Sequence, residues 1–305
     1  MVDAIFSWGA FVIFILAMLA VDLGIFQRKT HEIKVRESLF LTIFWISLAL
    51  LFDLGVYLVR GHNAALEFLT GYLIEESLSV DNIFVFLLIF SYFAVPVAVQ
   101  RKVLVWGILG AIVLRAVFII GGLALIHKFR GVLYVFGALL VYTGIQLAAE
   151  KDKKLEPEKN PVLRIFRKLV PVTENYEGDR FFVKRAAKLY ATPLLVVLIV
   201  IETTDLIFAA DSIPAIFAVT LDPFIVFTSN IFAILGLRAL YFTLHGMIRK
   251  FHHLHYGLSF ILVFVGVKML IHELYRIPIG VALGVIASVL ILSVVVSLLA
   301  PQKKP

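Results

Sequence analysis

The chain has 305 residues, of which 61% are hydrophobic and 16% are charged, and its mean hydropathy is +1.00. A soluble protein carries about 25% charged residues, so this composition excludes an ordinary water-soluble domain and predicts a chain surrounded largely by lipid. The sequence has no cysteine, which excludes disulfides, thiol redox chemistry and cysteine-rich metal sites.

Apolar segments in chain order predict an all-α polytopic membrane protein with about nine transmembrane helices. Each segment is long enough to cross roughly 30 Å of hydrocarbon. The first lacks the basic start and the small-residue cleavage site of a signal peptide, so it is predicted to be a retained helix. The predicted spans are 4–26, 38–59, 64–93, 102–125, 131–149, 192–218, 223–244, 254–272 and 278–299. Together they form a single membrane domain, 1–305.

The distribution of basic residues predicts the orientation of these spans. Loops on one side of the membrane carry 21 lysines and arginines, and loops on the other side carry 4. Because cytoplasmic loops are rich in basic residues, the net charge of +7 is interpreted as topology and not as nucleic-acid binding. We expect the N-terminus outside and the C-terminus in the cytoplasm, with the protein in the inner (plasma) membrane of a bacterium.

Segment 150–191 is predicted to be a cytoplasmic basic linker. It contains a short amphipathic stretch, "VLRIFRKLV" (162–170). Such helices commonly lie at the membrane surface with their basic face on anionic lipid, so membrane lipids are predicted partners. A regulatory role for this linker is the alternative.

Two acidic stretches align with each other. These are "EESLSVDNIFV" (75–85) in the third span and "DLIFAADSIPA" (205–215) in the sixth. The aligned pairs are Glu75 with Asp205, Asp81 with Asp211, and Asn82 with Ser212. "LRA" recurs at 114–116 and 237–239, and "LLVYTGIQL" (139–147) resembles "ILVFVGVKM" (261–269).

These matches predict that spans three to five repeat as spans six to eight. The first repeat covers 63–149, the second covers 192–272, and segments 1–62 and 273–305 supply peripheral helices. Because three spans is an odd number, the two copies must cross the membrane in opposite directions. Inverted repeats are typical of secondary transporters, whose substrate site lies near the midplane. Chance similarity between apolar segments is the alternative.

Six acids lie well inside the third and sixth spans, where each costs at least about 2.5–3.5 kcal/mol to insert. They are Glu75, Glu76, Asp81, Glu202, Asp205 and Asp211. Two intramembrane arginines, Arg115 and Arg238, are available partners but cannot neutralise all six. The excess negative charge requires protons, bound cations or water.

Helical geometry restricts how these acids can meet. At about 100° per residue, Asp211 lies on the opposite face of its helix from Glu202. Pro214 cannot donate a hydrogen bond to the carbonyl of Ala210, which favours a kink. We therefore predict that the third and sixth spans are bent or interrupted near Asp81 and Asp211.

The polar groups near these acids are oxygen donors, which suit the hard cations Mg²⁺, Ca²⁺ and Mn²⁺. The predicted metal ligands are Glu75, Asp81, Asn82, Glu202, Asp205 and Asp211. "TSN" (228–230) in the seventh span is either part of the site or ordinary polar packing. No nucleophile or soluble catalytic domain is present, so neither an enzyme nor a permanently bound cofactor is predicted.

The motifs resemble a known family. "YLIEESLSVDNIFVFLLIFSYFAVP", "ATPLLVVLIVIETTDLIFAADSIPAIFAV", "VDLGIFQRKTHEIKVRESL" and "FVGVKML" are similar to sequences of the TerC family of integral membrane proteins, in its Alx-like branch. The resemblance covers about residues 15–272. It implies a role in tellurium resistance or in metal homeostasis through efflux of Mn²⁺, with the intramembrane acids required for activity. A non-transporting membrane scaffold or redox-modulating component of a stress-resistance complex is the alternative.

Overall fold

The computed structural model describes residues 8–18, 35–129, 131–149, 160–185, 188–245 and 254–299. The chain divides into an N-terminal unit, Met1–Lys34, and a larger unit, Val35–Pro305. The N-terminal unit contains helix α1, Trp8–Met18. The rest of the predicted first span lies outside the described residues.

The larger unit is mostly helical, with one small sheet. Its elements are α2 (Val35–Arg60), α3 (His62–Tyr92), α4 (Val97–Lys128), α5 (Val132–Ala149), α6 (Pro161–Leu169), β1 (Phe182–Arg185), β2 (Lys188–Ala191), α7 (Pro193–Phe217), α8 (Pro223–His245), α9 (Leu254–Leu270) and α10 (Ile279–Leu299). Among the described residues, six helices are long and apolar enough to cross a membrane: α2, α4, α5, α7, α8 and α10. An all-α polytopic architecture is confirmed at this level, and the number nine stays a prediction.

The sequence prediction missed the two strands in the linker. β1 and β2 pair as an antiparallel hairpin, with Val183 opposite Tyr190. Val183 is buried while its neighbours Phe182 and Lys184 are exposed, which is the alternation of a half-buried strand. The positive charge of this stretch predicts a basic linker but does not indicate strands. The amphipathic stretch before it does form a helix, α6, whose N-terminus is capped by the side chain of Asn160.

The predicted interruption of the third and sixth spans is wrong, while the alternative that they are bent stays a prediction. α3 and α7 are each one continuous helix through positions 81 and 211. Pro214 lies inside α7, three residues before its end, and removes the hydrogen bond to the carbonyl of Ala210 without ending the helix. The hydroxyls of Thr203 and Thr204 bond carbonyls of the preceding turn of their own helix, so they support an intact backbone.

Glycines allow α5 and α9 to approach each other closely. A Cβ atom at Gly144 would lie 2.9 Å from the carbonyl oxygen of Ser259, and one at Gly266 would lie 2.7 Å from that of Gly137. When the aligned segments of α5 and α9 are extended by two residues, Gly144 corresponds to Gly266 and Gly137 to Ser259. The contact is therefore unchanged when the two segments exchange places. Small residues at such crossings are typical of membrane helices, because they let backbones pack directly.

Two clusters of buried apolar residues flank a polar layer in the helix bundle. On α7, Asp205 lies between Ile201 of one cluster and Ala209 of the other. Arg115 on α4 and Asn230 on α8 likewise lie between residues of the two clusters along their own helices. Apolar packing thus lies on both sides of Asp205, Arg115 and Asn230 along their helices.

Candidate functional site

The centre of the polar layer is a buried arginine that contacts three helices besides its own. Arg115 on α4 forms an ion pair with Glu75 of α3, and both side chains are fully buried. Its Nη2 atom lies 3.3 Å from Oδ1 of Asp205 on α7. Its Nη1 atom also donates to Oγ of Ser212 at 3.2 Å and to Oδ1 of Asn230 at 3.1 Å. We call these five residues the Arg115 cluster.

The Arg115 cluster joins the two acids that the sequence alignment had paired, Glu75 and Asp205. A guanidinium presents several donors in one plane, so a single Arg115 can bond a carboxylate from each predicted repeat. The sequence had identified Arg115 as an available partner for intramembrane acids, and this is confirmed.

Asn230 and Ser212 complete the cluster, and neither was among the predicted ligands. Asn230 accepts from Arg115 and donates through Nδ2 to Oε2 of Glu75 at 3.2 Å. Two signals could have identified them, the "TSN" motif and the alignment of Asn82 with Ser212. The neighbours Thr228 and Ser229 bond carbonyls of their own helix, which is ordinary polar packing.

Asp211 and Asn82 line a cavity of about 320 Å³. Its polar lining comes from α3, α5 and α7: Asn82, Thr143, Gln146, Asp211 and Ser212. Ser212 belongs both to this lining and to the Arg115 cluster. The cavity therefore adjoins the buried acids through one shared hydroxyl.

Glu202 faces α4 and not the cavity. A Cβ atom at Gly110 would collide with the Glu202 carboxylate, so this glycine provides the space in which the acid lies. Among the described residues, one buried carboxylate oxygen of Glu202, of Glu76 and of Asp205 has no hydrogen-bond partner. Buried polar atoms are normally bonded, so these oxygens are open to a ligand, a proton or water.

The structure thus distributes the six predicted ligands over several places. Glu75 and Asp205 meet at Arg115, Asn82 and Asp211 line the cavity, and Glu202 lies against α4. Position 81 is within α3, but its side chain is outside what the structure describes. Among the described residues, no three His, Asp or Glu side chains are arranged to hold a metal ion. Ligation of one metal by all six residues stays a prediction.

The linker contacts the bundle close to these acids. The side chain of Asn160, which caps α6, donates to Oγ1 of Thr203 at 2.7 Å, next to Glu202 in sequence. Lys102 of α4 bonds Asp179, and this hydrogen bond, with the lysine charge, holds the pKa of the Asp179 carboxyl below its usual range. The hydroxyl of Tyr176 donates to the carbonyl of Phe93 at the end of α3. The linker is therefore attached to α3, α4 and α7.

Comparison with known proteins places the chain in a family. The family model described as "Integral membrane protein TerC family" matches residues 60–305. The chain belongs to the TerC family. It is an integral membrane protein, as its apolar helices also indicate.

Several related proteins resemble this TerC chain over nearly its whole length. The "Uncharacterized membrane protein STKORF319" of Myxococcus xanthus is 50% identical over 298 residues, covering 98% of this chain and 93% of that protein. The proteins named "Putative membrane-bound redox modulator Alx" of Photorhabdus laumondii and of Escherichia coli K12 are each 48% identical over 299 residues, covering 95% of this chain and 93% of the relative. No solved structure matches the chain.

Proposed function

We propose that the chain is a secondary transporter that exports Mn²⁺ from the cytoplasm through carboxylates near the middle of the membrane. The observation that carries the proposal is the excess of buried carboxylate over buried cation in the Arg115 cluster. One guanidinium pairs with both Glu75 and Asp205, so the cluster is negative when both acids are ionised. In a medium of low polarity, such a cluster attracts a cation strongly.

The ligand chemistry favours a hard divalent cation. The polar side chains of the cluster and of the adjoining cavity offer carboxylate, amide and hydroxyl oxygens, and the sequence supplies no cysteine. Such oxygen sites suit Mg²⁺, Ca²⁺ and Mn²⁺. The choice of manganese among these three comes from the family resemblance. The proposal includes no catalytic activity and no resident cofactor.

The proposed transport mechanism uses the inverted repeat of α3–α5 and α7–α9. Its support is the α5–α9 contact, in which Gly144 and Gly266 exchange roles, and the meeting of the aligned acids at Arg115. Rocking of one repeat against the other would open the acids alternately to each side. With the N-terminus outside and the C-terminus in the cytoplasm of a bacterial inner membrane, export runs from the linker side outward.

Exchange for protons is the proposed coupling, because a protonated carboxylate releases metal and a deprotonated one binds it. In inverted membrane vesicles that contain the protein, an acidic lumen should accelerate Mn²⁺ uptake, and a protonophore should abolish that acceleration. Uptake is measured with an internal Mn²⁺-sensitive dye. If the uptake rate is the same with and without the pH gradient, the proton coupling is rejected. If the protein causes no Mn²⁺ uptake at all, the transport proposal itself is rejected.

A second candidate function is a non-transporting membrane component that modulates redox state. It is favoured by related proteins that are named "Putative membrane-bound redox modulator Alx". Against it, the chain has no thiol of its own, so it would act on redox state through partners. Unchanged manganese content together with an altered thiol–disulfide balance in cells lacking the protein would favour this second function.

We also propose that α6 rests on anionic lipid. Its residues Val162, Ile165 and Leu169 are exposed and share one face, while Leu163 is buried against the bundle. Its exposed basic residues are Arg164, Arg167 and Lys168. An exposed apolar stripe beside a basic one is typical of a helix at the membrane surface.

A single cysteine tests this lipid contact, because the chain has none that would need removal. A polarity-sensitive fluorophore on Leu169→Cys should shift to the blue in vesicles that contain phosphatidylglycerol, relative to pure phosphatidylcholine. Replacing the three basic residues of α6 by glutamine should remove most of this difference. Equal spectra in both lipids would contradict the contact.

A further inference from the structure

The position that Arg115 occupies has the oxygen environment of a cation site. Four oxygens surround its two terminal nitrogens, from Glu75, Asp205, Ser212 and Asn230, and they come from three different helices. Among the described residues, Arg115 is the only basic side chain within hydrogen-bond distance of Glu75 or Asp205. The guanidinium thus takes the place that a metal ion would take among these oxygens.

A divalent cation and the guanidinium cannot occupy this place together. Both need the same lone pairs, and like charges in contact repel strongly where little water screens them. The Arg115 and Glu75 side chains are fully buried and the Asp205 side chain is 5% exposed, so screening by solvent is slight.

Resting on the transport proposal above, we infer that Arg115 is a tethered counter-cation that holds the metal position when metal is absent. A metal ion binds by displacing the guanidinium from Glu75 and Asp205, and Arg115 returns when the ion leaves. The acids therefore stay partly neutralised through the metal-free part of the cycle. This avoids moving two unpaired carboxylates through an apolar bundle.

The cavity gives the displaced side chain a place to go. Nη1 of Arg115 already contacts Ser212, which is part of the cavity lining. The cavity has a volume of about 320 Å³, and Asp211 also lines it. A movement past Ser212 would bring the guanidinium into this cavity. Asp211 then takes part in the cycle as a residue of the cavity that receives Arg115.

The test is Mn²⁺ binding to the purified full-length protein by titration calorimetry, comparing wild type with Arg115→Gln and Arg115→Lys. Because the competing positive charge is removed, the Arg115→Gln variant should bind Mn²⁺ at least about tenfold more tightly than wild type. The lysine variant should lie between wild type and Arg115→Gln, because one ammonium cannot bond both acids as a planar guanidinium does. Arg185→Gln, which removes an exposed arginine paired with Glu177 in the linker, is the matched control and should leave the affinity unchanged.

A second measurement follows the arginine itself. Thr143→Cys places a thiol in the cavity lining. Mn²⁺ should slow the labelling of this thiol when Arg115 is present, because the displaced guanidinium enters the cavity, but not in the Arg115→Gln variant.

If wild type binds Mn²⁺ and neither Arg115 variant binds it more tightly, the inference is overturned and the transport proposal stays intact. Unchanged Thr143→Cys labelling on metal binding also overturns it, whether or not Arg115→Gln folds. No binding of Mn²⁺ to wild type instead removes the transport proposal and this inference with it.

Discussion

Cells that express Asp205→Asn should accumulate manganese under manganese load to nearly the level of cells that lack the protein. Asp205 supplies one of the two carboxylates that meet at Arg115, and one of its oxygens has no hydrogen-bond partner among the described residues. The amide of asparagine keeps the shape of the side chain but removes its charge. Affinity of oxygen sites for divalent ions depends on the number of charged ligands, so export should fall at least about tenfold.

The measurement is total cellular manganese by mass spectrometry, normalised to the amount of protein in the membrane. Asp179→Asn is the matched control, since it makes the same chemical change at an exposed linker residue paired with Lys102. Cells that express Asp179→Asn should therefore contain as little manganese as cells that express the wild type. Asp81→Asn extends the test to the residue aligned with Asp211. Wild-type manganese content with Asp205→Asn would contradict a transport site at the Arg115 cluster.

The helices could be predicted from sequence because hydrocarbon requires long uninterrupted apolar segments. Spans 192–218 and 223–244 correspond to α7 (Pro193–Phe217) and α8 (Pro223–His245). The hairpin β1–β2 was missed because four-residue strands give a short alternating pattern, and the basic residues within them dominate the composition.

The site could be predicted in part. The alignment that pairs Glu75 with Asp205 selected the two acids that share Arg115, and an arginine was expected as their partner. The sequence did not predict which further acids lie close together. This depends on how each helix is rotated and packed against its neighbours, which the hydrophobic periodicity of the sequence does not determine. Proline chemistry predicts a bend or an interruption near Pro214, but a helix can continue past one missing hydrogen bond, as α7 does to Phe217.

Gly266→Ala should destabilise the protein by about 1–3 kcal/mol. The added methyl group would lie 2.7 Å from the carbonyl oxygen of Gly137, and a backbone atom cannot move away as a flexible side-chain end can. α5 and α9 would have to separate, which loses the close packing that holds membrane helices together. If the inverted repeat is correct, Gly144→Ala should have an effect of similar size, because it recreates the same clash with Ser259.

Thermal unfolding of the detergent-solubilised protein measures this effect, with an expected fall in midpoint of at least about 2–4 °C. The control is Gly284→Ala in α10, where a Cβ atom would meet nothing within 4 Å. Alanine is the better helix former, so this control should be neutral or slightly stabilising. Equal midpoints for Gly266→Ala and Gly284→Ala would contradict the close α5–α9 contact. A large effect at only one of Gly144 and Gly266 would contradict the symmetry on which the rocking mechanism depends.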